Sequence, residues 1–389
     1  MTDTSLTTSG RPFAVDRGIR VEPSVKHLLA ALVLGESVTA AALAGHELNR
    51  LRDEAEHEGV LPLVADRLSR AGQALAAFSA ALSSAARREA AADLIREAEL
   101  RRLLPALAAS GAVALIMKGA QLAYSHYPRP DLRPRMDTDI FVTPGDRPLA
   151  HKCLVELGYG PVAQVAGDLV MYQAQYVKHR AGTAVHAVDL HWRLANPQRF
   201  GGVLTHAELA ADAVPIAGLG EQARGLSNPH ALLVACVHPV AHHPHAQRLI
   251  WHYDIHLIAS RLMADEWEAF TSLAIDRRVN TVCRRSLELA SHYFGTAVPS
   301  RTKTRLNMTA SVDAGTAAYL SPGRRQIHDA MWDFRALPSW ADRCRLVCQH
   351  LFPSAHYMRD TYAPSSSAPL AVLYARRALR GARRWLARA

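Results

Sequence analysis

The chain has few cysteines, little lysine and no long apolar run, and each shortage excludes something. Cys153, Cys236, Cys283, Cys344 and Cys348 are an odd set without framework spacing, which argues against a disulfide-stapled scaffold and for a reduced, cytoplasmic setting. No stretch of 18 or more apolar residues occurs, so no transmembrane segment is expected. The opening MTDTSLTTSGRPF lacks the basic-then-apolar pattern of a signal segment. Aromatic residues are only 6% of the chain and are not interleaved with basic ones, unlike surfaces that stack single-stranded bases. There is no internal repeat. The scarcity of lysine beside abundant alanine, arginine and leucine suggests a GC-rich bacterial genome.

What remains is an ordinary globular composition: 389 residues, 49% apolar and 21% charged, with a net charge of +10. The positive balance favours anionic partners. Much of it sits in the tail, where Arg376, Arg377, Arg380, Arg383, Arg384 and Arg388 accompany an imperfect apolar face. That basic helix suits an acidic partner or membrane surface, though docking on its own protein is the simpler expectation.

Residues 1–22, rich in Gly, Ser and Thr, are expected to be a disordered tail. Helical apolar spacing marks an N-terminal region at 23–110, closed by Ser110-Gly111. The texture then changes. AVALIM (112–117) reads as a buried strand, 119–127 as a helix, 128–136 as a Pro/Arg-rich loop and 137–143 as a second strand. A helix is expected over 145–158, then two strands at 168–179 and 183–194 joined by Arg180-Ala181-Gly182. The prediction is an α/β (α+β) fold with a small mixed sheet at 111–196. A C-terminal helical domain at 197–363 follows, then a linker with Ser365-Ser366-Ser367 and a basic helix at 364–389.

Within RPRMDTDIFVT (133–143), Asp137, Asp139 and Phe141 share one face of a strand and Thr138, Ile140 and Val142 the other. On the later strand, Asp189, His191 and Arg193 oppose Val188, Leu190 and Trp192. If the two strands are neighbours, three carboxylates converge, and such an oxygen set suits Mg²⁺ or Mn²⁺. Upstream, Lys118-Gly119 ends a strand and opens a helix, whose free N–H groups favour a phosphate. Arg133 and Arg135 approach the acids and suit phosphate oxygens.

The order IMKGAQLAY…LRPRMDTDIFV…VDLHWRL resembles the uncharacterised bacterial nucleotidyltransferases of KG…DxD…D type, within the DNA polymerase β-like nucleotidyltransferase superfamily. HALLVACVHPVAHH…LIWHYDIHLIA and LFPSAHYMRDTY are similar to that group's helical C-terminal half. The resemblance implies two ions held by Asp137, Asp139 and Asp189, the last near the acceptor. It places Lys118, Gly119 and Arg133 on the nucleotide. It implies NMP transfer from an NTP, ATP first among them, to an acceptor hydroxyl of a small molecule or peptide, with pyrophosphate leaving. Thr138 and Met136 depart from the group's usual residues. A DxD glycosyltransferase accounts for neither Lys118-Gly119 nor Asp189; a nucleotide-binding scaffold without turnover is the other alternative.

His238 and His242 lie four apart, as do His252 and His256, a spacing that also suits zinc. Pro239 and Pro244 should disturb the first pair's helix, and only Asp254 offers a nearby carboxylate. With Arg248 and Asp254 these histidines are expected to line the acceptor pocket or pack the helices against the active face. His191 reads equally as a structural histidine. Cys344 and Cys348 are expected to be buried thiols on one helix.

Overall fold

A computed structural model describes residues 24–36, 48–70, 76–165, 167–243, 246–308, 314–321, 324–362 and 368–386. The expected N-terminal tail, Pro244 and the Ser365-Ser366-Ser367 linker lie outside the described residues.

Helices α1 (Val25–Leu34), α2 (Leu48–His57) and α3 (Leu61–Arg70) precede the long α4 (Ala76–Ala109). Strand β1 (Leu115–Met117) follows Gly111, whose φ of 86° ends the preceding helix as its sequence suggests. Next come α5 (Lys118–Ser125), β2 (Thr138–Phe141), α6 (Arg147–Glu156) and β3 (Tyr159–Pro161). Strands β4 (Gln173–Arg180) and β5 (Thr183–His191) form a hairpin. Its two-residue turn, Ala181-Gly182, has φ of 49° and 80°, the paired positive values that a tight hairpin needs. Two further strands, β6 (Val214–Pro215) and β7 (Arg224–Gly225), complete a seven-stranded sheet of order β3-β4-β5-β2-β1-β7-β6.

The sheet is mixed: β2 runs parallel to β5 and antiparallel to β1. The face carrying Ile140, Val142, Val188 and Leu190 buries these residues against Leu103 and Leu107 of α4. Phe141, on the other face, joins a larger core shared by α1–α3 and the C-terminal helices. The strand alternation read from the sequence therefore sorts side chains between two cores.

After the short helices α7 (Gln198–Gly201) and α8 (His206–Ala211), α9 (Asn228–His242) and α10 (Leu249–Ala259) pack over the acid-bearing face. Pro239 does not break α9. It stands in the last turn, where the N–H it lacks removes only the usual donor to the Ala235 carbonyl. The N-terminus of α10 is tied to the first helical region: the buried Glu58 carboxylate accepts from Leu249 N–H at 2.7 Å and forms an ion pair with Lys26 Nζ at 2.6 Å.

Cys344 and Cys348 are exposed, contrary to expectation, because their helix (Trp340–Leu351) buries only Leu346. The basic helix Leu370–Leu386 docks on its own chain. Leu373 packs on Met358, Arg377 lies over Tyr357 and Arg380 over Tyr362. Among the described residues no helix is long and apolar enough to cross a membrane.

Candidate active site

Strands β2 and β5 pair in parallel with Asp139 opposite Asp189, so two carboxylates stand side by side on one face. Asp137 lies one residue ahead of β2. Thr138, between the two acids, points the other way and belongs to a buried chain. Its hydroxyl meets His186 Nε2 at 2.9 Å, and Tyr159 Oη lies 2.6 Å from His186 Nδ1. That chain continues to Glu99, which Lys178 pairs at 2.7 Å. An aliphatic residue at 138 would leave His186 Nε2 without this partner inside, so the departure at this position has a structural reason.

Lys118 follows the end of β1, where Met117 pairs with Asp139. Its φ is +55°, a left-handed conformation that costs a residue with a Cβ ~1–2 kcal/mol. The strained backbone puts Nζ 2.6 Å from Asp139 Oδ1, on a side chain only 11% exposed. Gly119 is needed next to it, since a Cβ there would lie 3.2 Å from the Arg133 guanidinium.

His191 Nε2 stands 2.8 Å from the same Asp139 oxygen. Burial and the Lys118 charge lower the imidazole pKa to about 4, so the ring is neutral. A neutral ring facing a carboxylate at that distance must carry its proton on Nε2 and donate it. The buried Nδ1 is then a bare acceptor, and it has no hydrogen-bond partner among the described residues. Asp189 accepts from Gln173 Nε2 at 3.2 Å and Gln175 Nε2 at 3.1 Å, both on the neighbouring strand β4. Alternation along β4 was the available signal for these glutamines, which sequence reasoning missed.

The three carboxylates differ in electrostatics. Asp137 is pushed up to about 7, first by burial and then by the charges of Asp139 and Asp189. Asp189 is raised for the same two reasons, burial and Asp139. Burial pushes Asp139 up as well, but Lys118 and His191 overcome it and hold this carboxyl well below the usual range. The cluster carries more negative charge than its own lysine neutralises.

Arg133 and Arg135 line the same cavity, each committed to a carboxylate. Arg133 grips Asp254 of α10 in a bidentate pair, Nε to Oδ1 at 2.9 Å and Nη2 to Oδ2 at 2.8 Å, with Tyr127 Oη also donating to Oδ1. Arg135 pairs with Asp93 of α4 and also donates to Tyr124 Oη. The Arg133–Asp254 pair is nearly closed to solvent, at 9% and 6% side-chain exposure. Arg133→Ala should therefore cost about 3–5 kcal/mol in urea unfolding by stranding Asp254, and Arg133→Met with Asp254→Leu should recover most of it. A single-variant loss under about 1 kcal/mol would remove the clamp from the account.

A cavity of about 760 Å³ opens over the acids. Lys118, Asp137, Asp139 and Asp189 form one wall, Glu56 and Arg88 another, and His238, His242, His243 and Trp251 the third. His243 stacks on Trp251, with ring centroids 4.7 Å apart. The His238 and His242 rings lie 5.3 Å apart on one helix face. Burial first and Lys118 second hold both neutral, His242 at about 3. Among the described residues, His238 Nδ1 and His242 Nε2 have no hydrogen-bond partner.

Among the described residues, Asp139, Asp189 and His191 bring one ligand atom each within 4.8 Å of one another, a group able to hold one ion. Carboxylate oxygens at the mouth of a cavity, with charge left over, fit a divalent cation.

No curated protein matches the chain. The family model described as "uncharacterised nucleotidyltransferase" matches residues 45–295, which include both acid-bearing strands, Lys118 and the histidine wall. The chain belongs to this uncharacterised nucleotidyltransferase family.

Proposed function

We propose that the protein transfers a nucleoside monophosphate from an NTP to an acceptor hydroxyl, as in the DNA polymerase β-like superfamily. The acceptor oxygen attacks the α-phosphorus, the bond from that phosphorus to the bridging oxygen breaks, and pyrophosphate leaves with the electron pair. The acceptor proton passes to Asp189. The observation that carries this reading is the registered Asp139–Asp189 pair with Asp137 beside it, three acids sharing one lysine. Asp137, Asp139 and Asp189 would hold Mg²⁺ or Mn²⁺, which supplies charge neutralisation at the phosphates and activates the attacking oxygen. Lys118 and the N–H groups opening α5 face the phosphates, and Arg133 and Arg135 border that wall with their charge largely offset by Asp254 and Asp93.

The acceptor side is the wall of His238, His242, His243 and Trp251. Neutral imidazoles with free ring nitrogens and an aromatic surface suit a small molecule or a peptide side chain carrying a hydroxyl. The Lys118–Asp139 pair and the strand-borne Asp189 weigh against a glycosyltransferase.

The test is incubation with each of the four α-³²P NTPs, ATP first, with Mg²⁺ or Mn²⁺ and a lysate of the source organism. Label should appear on an acceptor and vanish with Asp137→Ala/Asp139→Ala. Nucleotide binding without label on any acceptor would replace this reading with a nucleotide-binding scaffold.

A further inference from the structure

Lys118 occupies a position where a metal ion would otherwise stand. Its Nζ lies 2.6 Å from Asp139 Oδ1 and 3.4 Å from His191 Nε2, touching two of the three side chains that form the ion-sized donor group. A divalent ion needs ligand atoms at about 2.0–2.2 Å. It cannot share Asp139 Oδ1 with an ammonium at 2.6 Å and an imidazole N–H at 2.8 Å. Both of those bonds fall on Oδ1, which leaves Oδ2 of Asp139 as the oxygen open to a cation.

Charge leads to the same count. Before nucleotide binds, three carboxylates are balanced by one ammonium and one divalent ion. The backbone adds a third argument. A glycine at 118 would adopt φ +55° without strain, yet the chain places a lysine there and aims it at Asp139.

We propose that Lys118 is one of the site's two cations. Its ammonium stands permanently where a second divalent ion would neutralise Asp139, so the protein takes one catalytic ion, held by Asp137, Asp189 and Oδ2 of Asp139. This rests on the nucleotidyl-transfer reading and departs from the two-ion expectation drawn from the resemblance.

The test is a count of bound Mn²⁺ on the full chain with α,β-methylene-ATP present, from the loss of the free-ion electron paramagnetic resonance signal. Free analogue is subtracted through a protein-free titration. The wild type should bind one Mn²⁺ per chain. Lys118→Met keeps the length of the side chain without the charge, and it should bind two. Lys118→Gly also relieves the backbone strain and should likewise bind two, which guards against a poorly folded first variant. Two ions on the wild type, or one on both variants, would overturn the assignment of Lys118 while leaving nucleotidyl transfer intact. No Mn²⁺ and no analogue bound by the wild type would instead overturn the reading on which the assignment rests.

Discussion

Asp137→Asn and Asp139→Asn should both lose label transfer, by on the order of a hundred- to a thousandfold, yet shift thermal stability in opposite directions. The loss of transfer follows from removing a cation ligand in either case. The stabilities diverge because the two carboxylates stand in different fields. Asp137 is raised to about 7 by burial and by its two acidic neighbours, so its ionised form works against the fold. Replacing it with an amide should stabilise the metal-free protein at pH 8 by roughly 1–3 kcal/mol, discounted for its partial exposure. A carboxyl whose folded pKa lies above its unfolded value weakens the fold as pH rises. The gain from Asp137→Asn should therefore be full at pH 8 and fade as pH falls through 7 towards 4. Asp139 is the reverse: it accepts from both Lys118 and His191. Its amide would break the ion pair of a nearly buried ammonium, leaving only the more distant Asp137 and Asp189 to offset it, costing about 2–4 kcal/mol. Melting curves at pH 8 in a chelator decide the matter, and shifts of the same sign would overturn this electrostatic account of the cluster.

Such a trade between stability and activity is what a site built to hold a missing charge should show. It also marks which parts of the site local sequence can carry. The faces of β2 and β5 were readable because side chains alternate there: Ile140, Val142, Val188 and Leu190 are all 0–1% exposed, and the acids occupy the opposite side. The sequence left open whether the two strands were neighbours, and the parallel register of Asp139 with Asp189 closes that question. Strands β6 and β7, two residues each, have no period to detect. The segment read as purely helical after Asn196-Pro197 contains them because tertiary contacts create them. The Gln121 amide holds Leu226 beyond β7 like a strand neighbour, accepting from its N–H at 3.0 Å and donating to its carbonyl at 2.7 Å. Partner choice was equally hidden. Arg133 precedes the aspartates by four and six residues, but its guanidinium meets Asp254, 121 residues away. Spacing along a loop reports proximity to the acids, whereas the bidentate partner depends on how α10 crosses the loop. Lys118 was visible as a charge at a helix start; its positive φ and its grip on Asp139 were not.

Lowering the pH from 6.5 to 5 should cost the fold on the order of 4 kcal/mol, enough to unfold much of a marginally stable chain. Burial holds His126, His186, His191 and His252 at about 4 and His242 at about 3, and holds His238 well below its ordinary value. The unfolded chain takes up a proton on each below about 6.5, while the folded chain refuses it. Stability is therefore lost as pH falls below the unfolded value, and the loss saturates only beneath the folded values. Two carboxyls oppose this: Asp137 and Asp333, both raised to about 7 largely by burial, bind protons in the folded state over the same range. Six imidazoles outweigh two carboxyls, so the net slope keeps the sign of the histidines. Each uncompensated proton contributes up to about 1.4 kcal/mol per pH unit. Melting temperature measured from pH 7.5 to 4.5 should fall steeply below 6.5, and calorimetry in buffers of different ionisation enthalpy should show protons absorbed on unfolding at pH 5.5. His186→Gln, which removes one such imidazole away from the cavity, should make the fall shallower by about one proton. A melting temperature that holds level down to pH 4.5 would mean that water or a bound cation reaches these rings, and the neutral histidine wall proposed for the acceptor side would fall with it.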